Sequence, residues 1–161
     1  IAARNTLGVK RQVFFVSLGG FDTHDGLAAN HPGLMANVGN AMAAFHQATQ
    51  EIGVAPQVTT FTASDFGRTL VSNNDGSDHG WGSFHFVMGG SVAGRSLVGT
   101  APVIANNGAD DVGQGRLLPT LAVDQLAGTL AGWFGASATE TLAVVPNLAN
   151  FSLRDLGLLR A

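Results

Sequence analysis

The feature that most constrains this chain is a repeated order of elements near its start. A short apolar run ends in a polar loop, a segment with helical periodicity follows, and a second apolar run ends in another polar loop. The first run, Gln12 to Leu18 (QVFFVSL), is rich in Val and Phe and stops at Gly19-Gly20. Its length and nearly continuous apolarity read as a strand buried on both faces, the pattern of a parallel sheet. Pro32 to Ile52 carries Leu34, Met35, Val38, Ala41, Met42, Phe45, Thr49 and Ile52, spaced as one face of an amphipathic helix. Pro32 suits its first turn and Gly53 its stop. Val58 to Ala63 (VTTFTA) reads as the second strand. Strand, loop, helix, strand is the rhythm of a βαβ unit. The expected fold is therefore α/β, a mainly parallel sheet flanked by helices. Ligands of such sheets bind outside the carboxyl ends of the strands. That rule puts the loops after Leu18 and Ala63 on one edge.

The remaining elements are shorter. Phe84 to Met88 and Pro102 to Ala105 are further strand candidates, the latter at an edge. Leu121, Val123, Leu126, Leu130, Trp133 and Phe134 predict a second helix from near Pro119 to Gly135. No repeat or interdomain linker divides residues 1–161, so the reading is one domain.

Charged residues make up only 12% of the 161 residues and apolar ones 45%. A free-standing soluble domain carries about 25% charged residues. Much of this surface is therefore expected to be covered, by a partner chain or by a missing N-terminal half. Net charge is −3 with no Lys/Arg cluster, which argues against nucleic acid as a partner. No apolar stretch reaches the ~18 residues of a membrane span. The absence of cysteine excludes disulfides, thiolate metal sites and cysteine nucleophiles.

Chemistry concentrates in three polar clusters. In Asp22-Thr23-His24-Asp25, a carboxylate and an imidazole two residues apart can face one ion, and divalent metals accept such O/N ligation. The alternative is a turn-capping Asp beside a surface His. In Ser64-Asp65-Phe66-Gly67-Arg68-Thr69, Asp65 can ligate a metal or orient a ligating histidine, and Arg68 offers the planar fork that grips phosphate or sulfate. The alternative is an ion pair that ties the loop down. The third cluster, Asn73 to Gly82, contributes Asp78 and His79, with His85 just beyond. His85 either faces the site or is a hydrogen-bonded core histidine. His31 and His46 read as a cap and a solvent-facing helix position. No G-x-S-x-G elbow, P-loop or dinucleotide fingerprint is present.

The ordered set Gly19-Gly20-Phe21-Asp22-Thr23-His24, Ser64 to Thr69, Asp78-His79-Gly80 and His85 to Gly90 resembles an uncharacterised bacterial family, domain of unknown function 1501. Ala122 to Leu126, Trp133-Phe134-Gly135 and Pro146 to Phe151 are similar to its C-terminal end. The resemblance implies a place near the alkaline-phosphatase and sulfatase superfamily, and hence an incomplete, C-terminal half of that fold. It implies export, so a periplasmic or secreted protein. It also implies a divalent metal (Zn, Mn or Ca) held by Asp22, His24 and His79. Asp65, Arg68, Asp78 and His85 are then supporting or anion-binding residues. Where the superfamily's strand-end Asp-His pair continues after Asp65, this chain has Phe66, which removes a second-metal ligand. The superfamily's nucleophile would lie upstream of Ile1. The implied activity is metal-dependent hydrolysis of small phosphate or sulfate esters. The alternatives are a non-catalytic exported binding or assembly protein and a fragment without independent function.

Overall fold

The structure is a computed structural model and describes residues 1–160. A first helical turn, α1 (Arg4–Leu7), leads into residues 10–20, which form no backbone–backbone hydrogen bond among the described residues. The long helix α2 (Leu27–Glu51) follows, then a 3-10 turn (Ala55–Gln57) and β1 (Thr59–Phe61). Next come β2 (Gly67–Ser72), β3 (Ser77–Gly80) and β4 (Val87–Gly89). After a long irregular stretch, α3 (Val123–Phe134), α4 (Ala138–Val144) and a 3-10 segment (Pro146–Asn150) close the chain.

The sheets correct the sequence expectation. Both have two strands and both are antiparallel. β1 pairs with β4 in the register Thr59↔Gly89, Thr60↔Met88, Phe61↔Val87. β2 pairs with β3, with Gly67↔Gly80 and Arg68↔His79 as partners and an irregularity before Ser72↔Ser77. The chain is thus not a mainly parallel sheet flanked by helices, nor an alkaline-phosphatase-like fold. A βαβ unit needs its two strands in one sheet. Here residues 12–18 form no strand, and β1 takes the later β4 as its neighbour. The polar stretches expected as two separate loops instead form one hairpin, and Pro102 to Ala105 forms no strand.

Residues 12–18 are left with the apolar side chains of a buried strand and no cover. Phe15 is 92% exposed and Val16 88%. The chain exposes 10572 Å², where a compact monomer of 16.5 kDa exposes about 7,600 Å². The low charge of the sequence thus corresponds to open apolar surface.

Helix α2 begins at Leu27, five residues before Pro32. Gly26 adopts a left-handed φ of 63°, which turns the chain into the helix. The Leu27 N–H, otherwise an orphan of the first turn, donates to the Asp75 carbonyl at 2.9 Å. Pro32 therefore sits inside the helix, where it has no N–H to give. The partly covered stripe is His31, Leu34, Met35, Val38, Met42, His46 and Thr49. It follows the expected face, but Phe45 turns out to solvent and His46 turns in.

Helix α3 ends where Gly135 takes a left-handed φ of 101°. It buries Gln125, Gly128 and Thr129 rather than large apolar groups. Gln125 Nε2 donates to the Leu153 carbonyl at 2.8 Å, and the Leu156 N–H donates to Thr129 Oγ1 at 2.9 Å. Leu148, 2% exposed, fills the space over Gly128. Helix α4 lies outside the sequence expectation. Its signal is present as Ser137-x-x-Glu140, a capping box in which the Glu140 carboxylate accepts from the Ser137 N–H at 2.8 Å.

Candidate metal centre

The β2–β3 hairpin lies against the segment that precedes α2. The Ser77 N–H donates to the Thr23 carbonyl at 3.3 Å. Gly76, at the hairpin turn, meets the carbonyls of Thr23 and His24 so closely that no Cβ fits there. With the Leu27–Asp75 bond, these contacts fix the hairpin over the Asp22–His24 loop. His79, on β3, is thereby brought to Asp22 and His24, 57 and 55 positions earlier in the chain.

The three side chains converge. Asp22 Oδ1 lies 2.8 Å from His79 Nε2 and 3.0 Å from His24 Nε2. The two Nε2 atoms are 3.3 Å apart. One ligand atom from each residue falls within a common 4.8 Å. A tetrahedral ion bound at about 2.0–2.2 Å sets its ligands roughly 3.3–3.5 Å apart. Its edges of 2.8, 3.0 and 3.3 Å need to open by roughly 0.7 Å at most to accept one. The side chains are 59%, 45% and 47% exposed for Asp22, His24 and His79, so solvent or a substrate can reach an ion held there.

The surroundings suit ligation. Asp78 Oδ1 lies 3.3 Å from His24 Nδ1 and accepts from Asn73 Nδ2 at 2.9 Å. A proton on Nδ1 facing this carboxylate leaves the Nε2 lone pair directed at the triangle, the usual arrangement behind a metal-bound imidazole. The Asp78 N–H donates to Thr69 Oγ1 at 3.1 Å, which seats the residue on the neighbouring strand. The hydrogen bond with His79 holds the Asp22 carboxyl below its ordinary value of 3.8, aided by the Arg68 hydrogen bond and the two histidine charges, while desolvation acts against them. A carboxylate that stays ionised is what a cation requires.

Arg68 stands across the hairpin from His79. Its Nη1 donates to Asp22 Oδ1 at 3.1 Å, its Nε to Ser77 Oγ at 3.1 Å, and its Nη2 to the Ser77 carbonyl. The fork is thus occupied by the protein, and its ion pair is with Asp22, not with the Asp65 of its own cluster. Asp65 is exposed and lies outside the converging group, with no hydrogen bond or ion pair among the described residues. His85 is also outside it; its Nδ1 is 3.3 Å from Thr62 Oγ1, beside the β1–β4 pair. His31 stands edge-on to Phe21.

Sequence reasoning missed Asn73, Ser77 and the role of Phe66. Asn73 and Asp78 flank the hairpin turn, a spacing that reads as a cross-turn pair only when the hairpin is known. Phe66 stacks on the His79 ring, with centroids 3.7 Å apart and planes 8° from parallel.

Among the described residues, no helix is long and apolar enough to cross a membrane. No curated protein and no solved structure is significantly similar to the chain. A family model described as a protein of unknown function, DUF1501, matches residues 1–132. The motifs that build the centre all fall within that span, and the chain belongs to the DUF1501 family.

Proposed function

We propose that this protein binds one divalent cation through Asp22, His24 and His79 and acts as a metal-dependent hydrolase of phosphate or sulfate esters. The observation that carries the reading is the triangle of ligand atoms at 2.8, 3.0 and 3.3 Å, backed by the Asp78 carboxylate behind His24. Three protein ligands with an open side is the pattern of catalytic rather than structural zinc sites. A cation there supplies Lewis acidity and an activated water. The protein's part is to keep Asp22 ionised, through Arg68, and to hold the His24 lone pair toward the ion, through Asp78. Mixed O/N ligation suits Zn or Mn better than Ca, which prefers oxygen ligands alone. The choice of ester rests on the similarity of Asp22, His24 and His79 to phosphatase and sulfatase ligands. Export to the periplasm or beyond rests on the resemblance to the DUF1501 family.

A second reading has its own support. The apolar surface left open around residues 12–18 favours an exported binding or assembly protein, in which the cation holds the hairpin in place and no ester is cleaved. Elemental analysis of purified protein before and after chelator, beside Asp22→Ala, tests the shared premise. About one ion per chain is expected, lost in the variant. Equal metal content in Asp22→Ala and the parent protein rules the centre out. Ester hydrolysis that follows metal content then separates the two readings.

A further inference from the structure

The two imidazoles of the centre are held in different ways. His24 is fixed from behind, where its Nδ1 faces the Asp78 carboxylate at 3.3 Å. For His79 the structure shows polar contacts only at Nε2, the atom that faces Asp22 and His24. No polar group among the described residues contacts its Nδ1. A histidine that is 47% exposed on a two-stranded hairpin has several rotamers within reach.

Phe66 lies flat on that ring at 3.7 Å, the closest aromatic contact among the described residues. Its other neighbour is Arg68, whose guanidinium carbon is 5.7 Å from the Phe66 centroid. Arg68 is anchored on Ser77 and Asp22. Phe66 thus neighbours both an anchored guanidinium and the His79 imidazole. Stacking restricts the tilt of the His79 plane while leaving rotation within the plane to Asp22.

We infer that Phe66 is a positioning residue: its ring face does for His79 what the Asp78 carboxylate does for His24, and so sets the affinity of the Asp22–His24–His79 centre for its cation. The inference rests on the metal reading given above and adds a residue that offers no ligand atom of its own.

The test uses zinc titration of the metal-free protein, with parent, Phe66→Leu and Phe66→Trp compared, and NMR of the His79 ring protons in the same metal-free samples. A ring stacked face-on shields those protons, so the parent should show them upfield. Phe66→Leu should release the shift and weaken zinc binding by about 3- to 10-fold, the range of an aromatic pair. Phe66→Trp, which keeps a flat face, should recover both. If Phe66→Leu releases the shift yet binds zinc as tightly as the parent, the positioning role is wrong while the centre stands. The role is equally wrong if the parent shows no upfield shift, or if Phe66→Trp recovers the shift without the affinity. If the parent takes up no zinc, the metal centre itself falls, and the inference with it.

Discussion

Replacing Asp78 by Asn isolates the contribution of the group behind His24. The substitution keeps the shape and the backbone bond to Thr69 Oγ1, but removes the charge that faces His24 Nδ1 at 3.3 Å. Groups of this kind typically change metal affinity by roughly 10- to 100-fold. Two observations place Asp78 at or below the low end. The contact is long for a charge-assisted hydrogen bond, and the side chains are 45% and 59% exposed, so water screens the pair. An exposed pair contributes at most about 1 kcal/mol, which corresponds to roughly fivefold in a dissociation constant. The expected result is therefore a loss of about 2- to 5-fold in zinc affinity, measured by competition with a chromophoric chelator at fixed pH. Binding stoichiometry should not change, because no ligand is lost. An affinity equal to the parent's would refute the assignment of the His24 tautomer, and a loss of all binding would show that Asp78 is itself a ligand.

Two further outcomes follow from the geometry. Gly76→Ala places a methyl group on the carbonyls of Thr23 and His24, so the hairpin must lift from the Asp22–His24 loop; metal affinity and thermal stability should both fall, and a variant with the parent's Tm and metal affinity contradicts this docking. Acid should destabilise the metal-free protein in a defined window. Asp22 is lowered chiefly by His79, Asp111 by the Asn107 N–H, and Glu140 by Ser137, so each contributes stability that is complete above its ordinary value of 3.8, 3.8 or 4.5 and is lost as pH falls through its lowered folded value. Tm measured against pH should be flat near about pH 6 to 7 and fall below roughly pH 4.5; a Tm that rises on acidification reverses the sign of this reasoning.

The site was more legible in the sequence than the fold. Asp22 and His24 share one short turn, so their proximity needed no tertiary information. Linking His79 to them rested on resemblance to a known family and not on spacing, and the hairpin is what brings the three side chains together. Helix α2 was readable because its stripe of Leu34, Met35, Val38 and Met42 follows helical spacing, while its start was not, because the Asp75 carbonyl that satisfies Leu27 lies far away in sequence. The parallel sheet failed for a related reason. Periodicity reports which faces a segment is suited to bury, not which neighbour it finds. Residues 12–18 carry the composition of an interior strand, but no strand lies beside them. The hairpin itself was obscured because Asn, Asp, Gly and Ser dominate positions 72–78, a composition equally natural in a loop. Helix α3 buries Gln125 and Thr129, polar residues that a search for an apolar stripe passes over.

The distance in sequence between His24 and His79 has a mechanical consequence. A tie between them closes a loop of 55 residues. A permanent crosslink of that span restricts the unfolded chain by about 4 kcal/mol in the chain-entropy picture. This chain has no cysteine with which to make such a tie. A cation bound at the proposed centre would be a removable clasp instead. Its hold would grow with free-ion concentration as mass action dictates, so the firmness with which the hairpin is latched to the start of α2 would follow the metal supply around the protein.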